Sequence, residues 1–329
     1  MLEPGIHGFR EIIARALYDP GIGYYSSNIG TVGRTGDFST SATLGAALGT
    51  AISRWAYEQT KASGIRNLIE IGAGDGSLAQ TVLKQWPGWR KPQYHIVDSS
   101  PRLRTRQKEK LGNRARWHAD MAAALAACDG RAILFANELV DAFPPEVLLW
   151  DGTAWQECCL EVRNDGIIRE TIRTWQRGVD AAGFVEPKAW PGGTIPAGQR
   201  VEHLSAFARW MNPWISQWRA GSGLWLDYGD SFPALYHRRP EGTLRAYWKH
   251  ERLSGPDVFR RLGKQDITCD VNFSDLAAWC TAGGFVCQPP ENQSDFIRRY
   301  QASAGGDDAG MRAGENFRVL GFAPARPSL

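Results

Sequence analysis

A chain of 329 residues with a formal net charge of +3 is long enough for one large or two modest domains, and that charge is too mild for a nucleic-acid surface. Six cysteines (Cys128, Cys158, Cys159, Cys269, Cys280, Cys287) form no CxxC pair and no histidine-interleaved spacing, which argues against zinc or a disulfide framework and for reduced thiols in the cytoplasm. No apolar run reaches spanning length and the first residues lack a signal-peptide core, so membrane insertion is not expected.

Residues 8–18 place Phe9, Ile12, Ile13, Ala16 and Leu17 on one helical face. The turn-rich run Tyr18-Asp19-Pro20-Gly21-Ile22-Gly23-Tyr24-Tyr25 ends that pattern. A glycine-rich approach from Gly30 to Gly36 leads to Asp37-Phe38-Ser39-Thr40-Ser41, whose hydroxyls suit the cap of a helix carrying Leu44, Leu48, Ile52 and Trp55. A polar, glycine-rich loop is costly to order, which points to contact with a ligand.

Strand 67–71 then runs into Gly72-Ala73-Gly74-Asp75-Gly76 and a helix over 77–85. Glycines at alternate positions let the backbone turn tightly and let a ligand approach it, while the helix start points N–H groups at the same spot. The dinucleotide fingerprint is G-x-G-x-x-G; here the third glycine arrives one residue early. Strand 94–98 follows, then Ser100-Pro101 opens a helix whose Arg102, Arg104, Arg106, Lys108 and Lys110 read as a solvated face. A short strand near 115–117, Asp120 as a cap, and strand 132–136 ending at Asn137-Glu138-Leu139-Val140-Asp141 continue the alternation. This predicts an open, mostly parallel α/β sheet with ligands bound beyond the carboxyl ends of its strands. Asp98, 22 positions after Gly76, stands where an acid accepts hydrogen bonds from ribose hydroxyls, a role that serves more than one nucleotide cofactor.

The pattern changes after residue 146. Glu146–Trp150, Trp155–Arg163 and Ile167–Trp175 read as strands, with Asn164-Asp165-Gly166 as a hairpin turn. A helix is predicted from about Val201 to Trp218, then a buried strand over 223–228 and another over 242–247. A helix over 274–282, capped by Ser274 and ended by Gly283-Gly284, precedes strand 285–288, a helix near 294–302 and a last strand, Phe317–Phe322. The expected organisation is an N-terminal helical and loop extension (1–62), a Rossmann-like domain (63–145 and 221–329) and an inserted lid or substrate-facing subdomain (146–220). Most of the 14 tryptophans are expected in the core.

Glu70 two residues before the G-x-G-x-G run resembles motif I of class I S-adenosylmethionine (SAM) methyltransferases. More specific are Tyr18–Tyr25, Gly36-Asp37-Phe38-Ser39-Thr40-Ser41 and Asn137–Pro144, in that order, followed by Asp227-Tyr228-Gly229, Gly242-Thr243-Leu244-Arg245-Ala246-Tyr247 with His250, Asp266-Ile267-Thr268 and Phe317-Arg318-Val319-Leu320. Together they resemble the MidA-like family, whose mitochondrial members are complex I assembly methyltransferases.

The resemblance implies a class I SAM methyltransferase with a mostly parallel seven-stranded sheet, S-adenosylhomocysteine as its product, and, from the mitochondrial members, a protein arginine as acceptor. It implies cofactor contacts from Asp37, Glu70, Gly72, Ala73, Gly74, Gly76, Asp98, Ser99, Asp120 and Asn137. Glu138 and Asp141 are the candidate catalytic carboxylates, since carboxylates suit the planar guanidinium fork. Tyr24, Tyr228 and His250 are candidate substrate contacts; no metal is called for, and a homodimer is left open. The chain departs from the family where Ala42 follows Thr40-Ser41, and where Asp270 and Asn272 stand after Asp266-Ile267-Thr268. Those departures bear on the acceptor, so a small-molecule methyltransferase and a non-catalytic assembly protein that keeps the fold are the alternatives. An NAD-linked oxidoreductase is disfavoured by the glycine spacing.

Overall fold

The computed structural model describes residues 3–28, 46–165, 168–176, 190, 193–249, 251–300 and 316–325. The chain divides into two compact units, one built from residues 1–30, 140–210 and 230–276, the other from 31–139, 211–229 and 277–329.

The second unit carries a central sheet. Across it the strands run Phe285–Cys287, Phe317–Pro324, Gly223–Asp230, Ile133–Asn137, Asn67–Ile71, Gln93–Val97 and Arg116–His118. Four neighbouring pairs, from Gly223–Asp230 through to Arg116–His118, are parallel. The last strand, Phe317–Pro324, runs antiparallel to both of its neighbours, and the short strand Glu291–Asn292 also pairs with it. The sheet is therefore mixed rather than simply parallel. Apolar runs mark where strands lie but not which way they run; direction is set by the connection, and only parallel neighbours need a long crossover.

Local chemistry explains most of the helices on this sheet. Ser100 accepts a hydrogen bond from the Leu103 N–H, and Pro101 opens helix Pro101–Leu111 with its missing donor where none is needed. Asp120 caps helix Met121–Ala126 through the Ala123 N–H. Helix Ala47–Ser63 turns Leu48, Ile52 and Trp55 inward and ends at left-handed Gly64. Its stripe joins a core with Leu68, Ile96, Phe135, Leu226 and Phe296. Trp225, wholly buried, stacks on Phe322 with ring centres 5.1 Å apart. Trp89 is the opposite case, 90% exposed.

In the first unit an antiparallel sheet runs Gly5–Gly8, Trp155–Val162, Glu146–Trp150 and Arg200–His203, with Ile168–Thr174 also paired to Trp155–Val162. A smaller sheet joins Glu251–Leu253, Arg245–Trp248 and Asp266–Thr268. Two sequence expectations are corrected here. Residues 200–203 form a strand against Glu146–Leu149, and the helix is confined to Ser205–Ile215. The helix at 273 is capped by Asn272, whose Oδ1 accepts from the Ser274 N–H, while the Ser274 hydroxyl accepts from the Phe232 N–H.

Glu202 is the polar centre of this unit. Its buried carboxylate accepts hydrogen bonds from the N–H of Thr243 (2.7 Å), the N–H of Leu244 (3.0 Å) and the Thr243 hydroxyl (2.9 Å). Gly242 lies at φ 76°, and a Cβ there would stand 2.3 Å from Glu202 Oε1. The run Gly242-Thr243-Leu244 is thus a nest for an internal carboxylate. Arg245, also buried, donates to Asp270 Oδ1 at 2.6 Å, and Arg239 pairs with the other oxygen. Of the three positions that depart from the family pattern, Asp270 joins this network, Asn272 caps a helix, and Ala42 lies outside the described residues.

Candidate active site

The glycine loop joins strand Asn67–Ile71 to helix Ser77–Lys84. Gly72, Gly74 and Gly76 lie at φ 70°, 53° and 82°, in the region that costs other residues about 1–2 kcal/mol each. Space separates their roles. A Cβ on Gly72 would stand 2.9 Å from Leu139 Cδ1, whereas one on Gly74 would meet nothing within 4 Å among the described residues. Gly74 thus presents bare backbone clear of the described residues, the surface an approaching cofactor needs. Ala73 beside it is buried. Asp75 ties the loop to the helix: its carboxylate accepts from the Ser77 N–H (2.9 Å), the Ser77 hydroxyl (2.8 Å) and Lys110 Nζ (2.6 Å). Burial raises the Asp75 carboxyl, but the bonds from Lys110 and Ser77 outweigh it and hold it below its ordinary value. Lys110 is therefore anchored to the loop and is not simply part of a solvated face.

Glu70 lies buried below the loop and accepts a 2.6 Å hydrogen bond from the Tyr94 hydroxyl. Burial pushes its carboxyl up to about 8; the Tyr94 bond opposes this, and the charges of Asp98 and Asp75 add to it. Asp98, at the carboxyl end of strand Gln93–Val97, is also buried. One of its oxygens accepts from the Ser100 N–H at 2.9 Å and the other from Gln107 Nε2 at 2.7 Å. Burial raises its carboxyl, against those two bonds and the charge of Arg104. Ser99 beside it is exposed. Asp120 is exposed as well, and its carboxylate is taken up by the helix cap at 2.8 Å.

Strand Ile133–Asn137 delivers the next two residues. Asn137 Nδ2 donates to Glu138 Oε1 at 3.1 Å. Glu138 lies at φ 52°, a left-handed conformation for a non-glycine residue, held by its N–H bond to the Leu226 carbonyl at 2.9 Å. Such strain gathers at functional sites. Tyr228, on strand Gly223–Asp230, is half-buried and packs edge-on against Phe317.

The remaining described candidates belong to the first unit. Asp141 is buried in the turn Val140–Ala142, and Thr268 Oγ1 lies 3.1 Å from its Oδ2 and 3.2 Å from its carbonyl oxygen. Tyr24 is wholly buried, edge-on to Tyr25, and it is the Tyr25 hydroxyl that donates to Asp266 at 2.8 Å. Asp37 and His250 lie outside the described residues. Among the described residues no cluster could hold a metal ion, and no helix is long and apolar enough to cross a membrane.

Residues 51–290 match the model of a family of S-adenosyl-L-methionine-dependent methyltransferases. The chain belongs to this family. It is 26% identical, over 92% of its length and 74% of the relative, to the Drosophila melanogaster protein named protein arginine methyltransferase NDUFAF7 homolog, mitochondrial. The Caenorhabditis elegans protein of the same name is 24% identical over 87% of this chain and 71% of its own. A Burkholderia thailandensis crystal structure bound to S-adenosyl-homocysteine superposes with a TM-score of 0.82 at 26% identity, covering 97% of this chain and 88% of that one.

The MidA-like resemblance and the SAM cofactor therefore hold. The loop fits that cofactor, with bare backbone at Gly74 and two buried carboxylates, Glu70 and Asp98, at adjoining strand ends. Bound SAM supplies an electrophilic methyl on a sulfonium, and the chain's part is to position the groups around it. Sequence reading missed Gln107, Tyr25 and the placement of Thr268 against Asp141. Gln107 did leave a signal: it stands between Leu103 and Leu111 at four-residue spacing, a polar residue on a buried stripe.

Proposed function

We propose that this SAM-dependent methyltransferase transfers its methyl group to a protein arginine. The observation that carries the acceptor is the name shared by the two relatives, protein arginine methyltransferase, which align over most of this chain. In this reading Gly72, Ala73, Gly74 and Gly76 take the main-chain side of the cofactor, Asp98 with Ser99 the ribose, and Glu70 or Asn137 the methionine end. Glu138 and Asp141 are each a candidate to orient the guanidinium, which stays protonated in solution and must have a lone pair freed for attack. Buried Asp141, set beside the Thr268 hydroxyl, and backbone-strained Glu138 support this separately. The segment 146–220 is proposed to face the acceptor.

The test is product chemistry. Purified protein is incubated with methyl-labelled SAM and a protein extract, and the labelled protein is hydrolysed. Label in methylarginine supports the reading; label confined to another amino acid or to small molecules would refute the acceptor while leaving the cofactor assignment standing.

A further inference from the structure

We infer that Gln107 is a positioning residue for the cofactor, one carboxamide that fixes both the ribose carboxylate and the glycine loop. Its Nε2 donates to Asp98 Oδ2 at 2.7 Å and to the Gly74 carbonyl at 2.8 Å. Its Oε1 accepts from Trp117 Nε1 at 3.0 Å. The side chain is fully buried, and its Cα lies 3.4 Å from where a Cβ on Gly76 would stand.

The orientation of this amide follows from chemistry. An indole nitrogen is donor only, so the atom facing Trp117 must be the amide oxygen. The NH2 group is thereby turned to two acceptors, one hydrogen for each. The flipped amide would set oxygen against Asp98 Oδ2 and against the Gly74 carbonyl, removing a donor from each. The indole of Trp117 thus sets the polarity of the whole bridge.

The consequence for the cofactor rests on the proposed ribose role of Asp98. With Ser100 N–H on one oxygen and Gln107 on the other, the carboxylate is held at a fixed angle, and its remaining lone pairs are available to ribose hydroxyls. The same amide pins the carbonyl of Gly74, whose Cβ position meets nothing within 4 Å among the described residues. Gln107 therefore acts through Asp98 and Gly74 and touches no reacting atom. Its residue type matters because no other side chain of that length offers two donors and an acceptor with no charge to bury.

The experiment is calorimetric titration of wild type, Gln107→Met and Trp117→Phe with S-adenosylhomocysteine and with its 2′,3′-dideoxy analogue, alongside melting of each protein without ligand. Gln107→Met keeps the volume and removes the polar bridge. It is expected to weaken S-adenosylhomocysteine by about 10- to 100-fold, the range for a hydrogen bond to a charged group, and the dideoxy analogue distinctly less. Trp117→Phe keeps the packing and frees the amide to flip, so the same pattern should appear at smaller size; it also carries the test if Gln107→Met does not fold. Unchanged binding in both variants, or equal losses for both ligands, would overturn the inference. A folded wild type that binds neither ligand would overturn the cofactor assignment first.

Discussion

Tyr94 donates a 2.6 Å hydrogen bond to Glu70 Oε2 between adjacent parallel strands, with both residues 2% exposed. A tyrosine hydroxyl can serve either the neutral or the ionised carboxyl, so the pair leaves Glu70 free to change charge when a cation arrives. With its carboxyl raised to about 8, Glu70 is mostly protonated at neutral pH. If it receives the methionine ammonium, SAM binding at pH 7 should release close to one proton. Calorimetry in buffers of different ionisation enthalpy reads that number; no release would assign Glu70 to steadying the loop alone.

The same shift has a sign for stability. Between the ordinary carboxyl value of 4.5 and about 8, the folded ligand-free protein keeps a proton that the unfolded chain has lost. The contribution of Glu70 is therefore complete at acid pH and disappears as pH rises through about 8. Glu70→Gln, which cannot ionise, should flatten this slope. Ligand-free Glu70→Gln should melt above wild type at pH 9, and the two should converge near pH 5. A variant that melts lower at both pH values would contradict the account.

Thr268→Val should separate positioning from binding. The hydroxyl beside Asp141 is lost while the shape is kept, so kcat is expected to fall about 10-fold, the scale of one hydrogen bond to a charged group. Asp141→Asn should cost about 100-fold or more if that carboxylate meets the guanidinium. S-adenosylhomocysteine affinity, read by calorimetry, should stay within about 2-fold in both. Loss of affinity in step with kcat would show that Asp141 supports the fold instead.

Gly242 tests the internal carboxylate nest. Gly242→Ala combines a left-handed backbone at φ 76° with a Cβ placed 2.3 Å from Glu202 Oε1. The carboxylate must move and lose donors from Thr243 or Leu244, so a loss of about 3 kcal/mol or more is expected. Gly64→Ala is the matched control, at φ 72° with nothing within 4 Å of the new carbon among the described residues. It should cost only about 1–2 kcal/mol of backbone strain. Denaturant unfolding of both variants measures the difference; equal losses would mean the nest contributes little.

The contrast between these sites shows what sequence could and could not carry. Asn67–Ile71, the glycine loop and Ser100-Pro101 were legible because strand periodicity, left-handed turns and caps are local. Arg200–His203 was not: four residues are too few to show a period beside the helix that follows, and only pairing with Glu146 and Leu148 makes them a strand. Ser274 and Asn272 are equally good caps on composition, and the demand of the Phe232 N–H on Ser274 decides between them. Asp98 stood out by distance from the loop, whereas Gln107 shows its role only when helix Pro101–Leu111 brings it over Gly74. The strand direction of Phe317–Pro324 and the burial of Tyr24 were likewise matters of tertiary context.

The central claim, that Gly72–Gly76 is the SAM site, is tested most directly by calorimetric titration of wild type and Gly74→Val with SAM, with NAD as control. A Cβ at Gly74 meets nothing within 4 Å among the described residues, and the backbone there lies at φ 53°, so the variant is expected to fold with local strain in the loop. The account predicts saturable SAM binding by wild type, none with NAD, and loss of SAM binding in a variant that still melts cooperatively. A folded wild type that ignores SAM, or a Gly74→Val protein that binds it equally well, would contradict it.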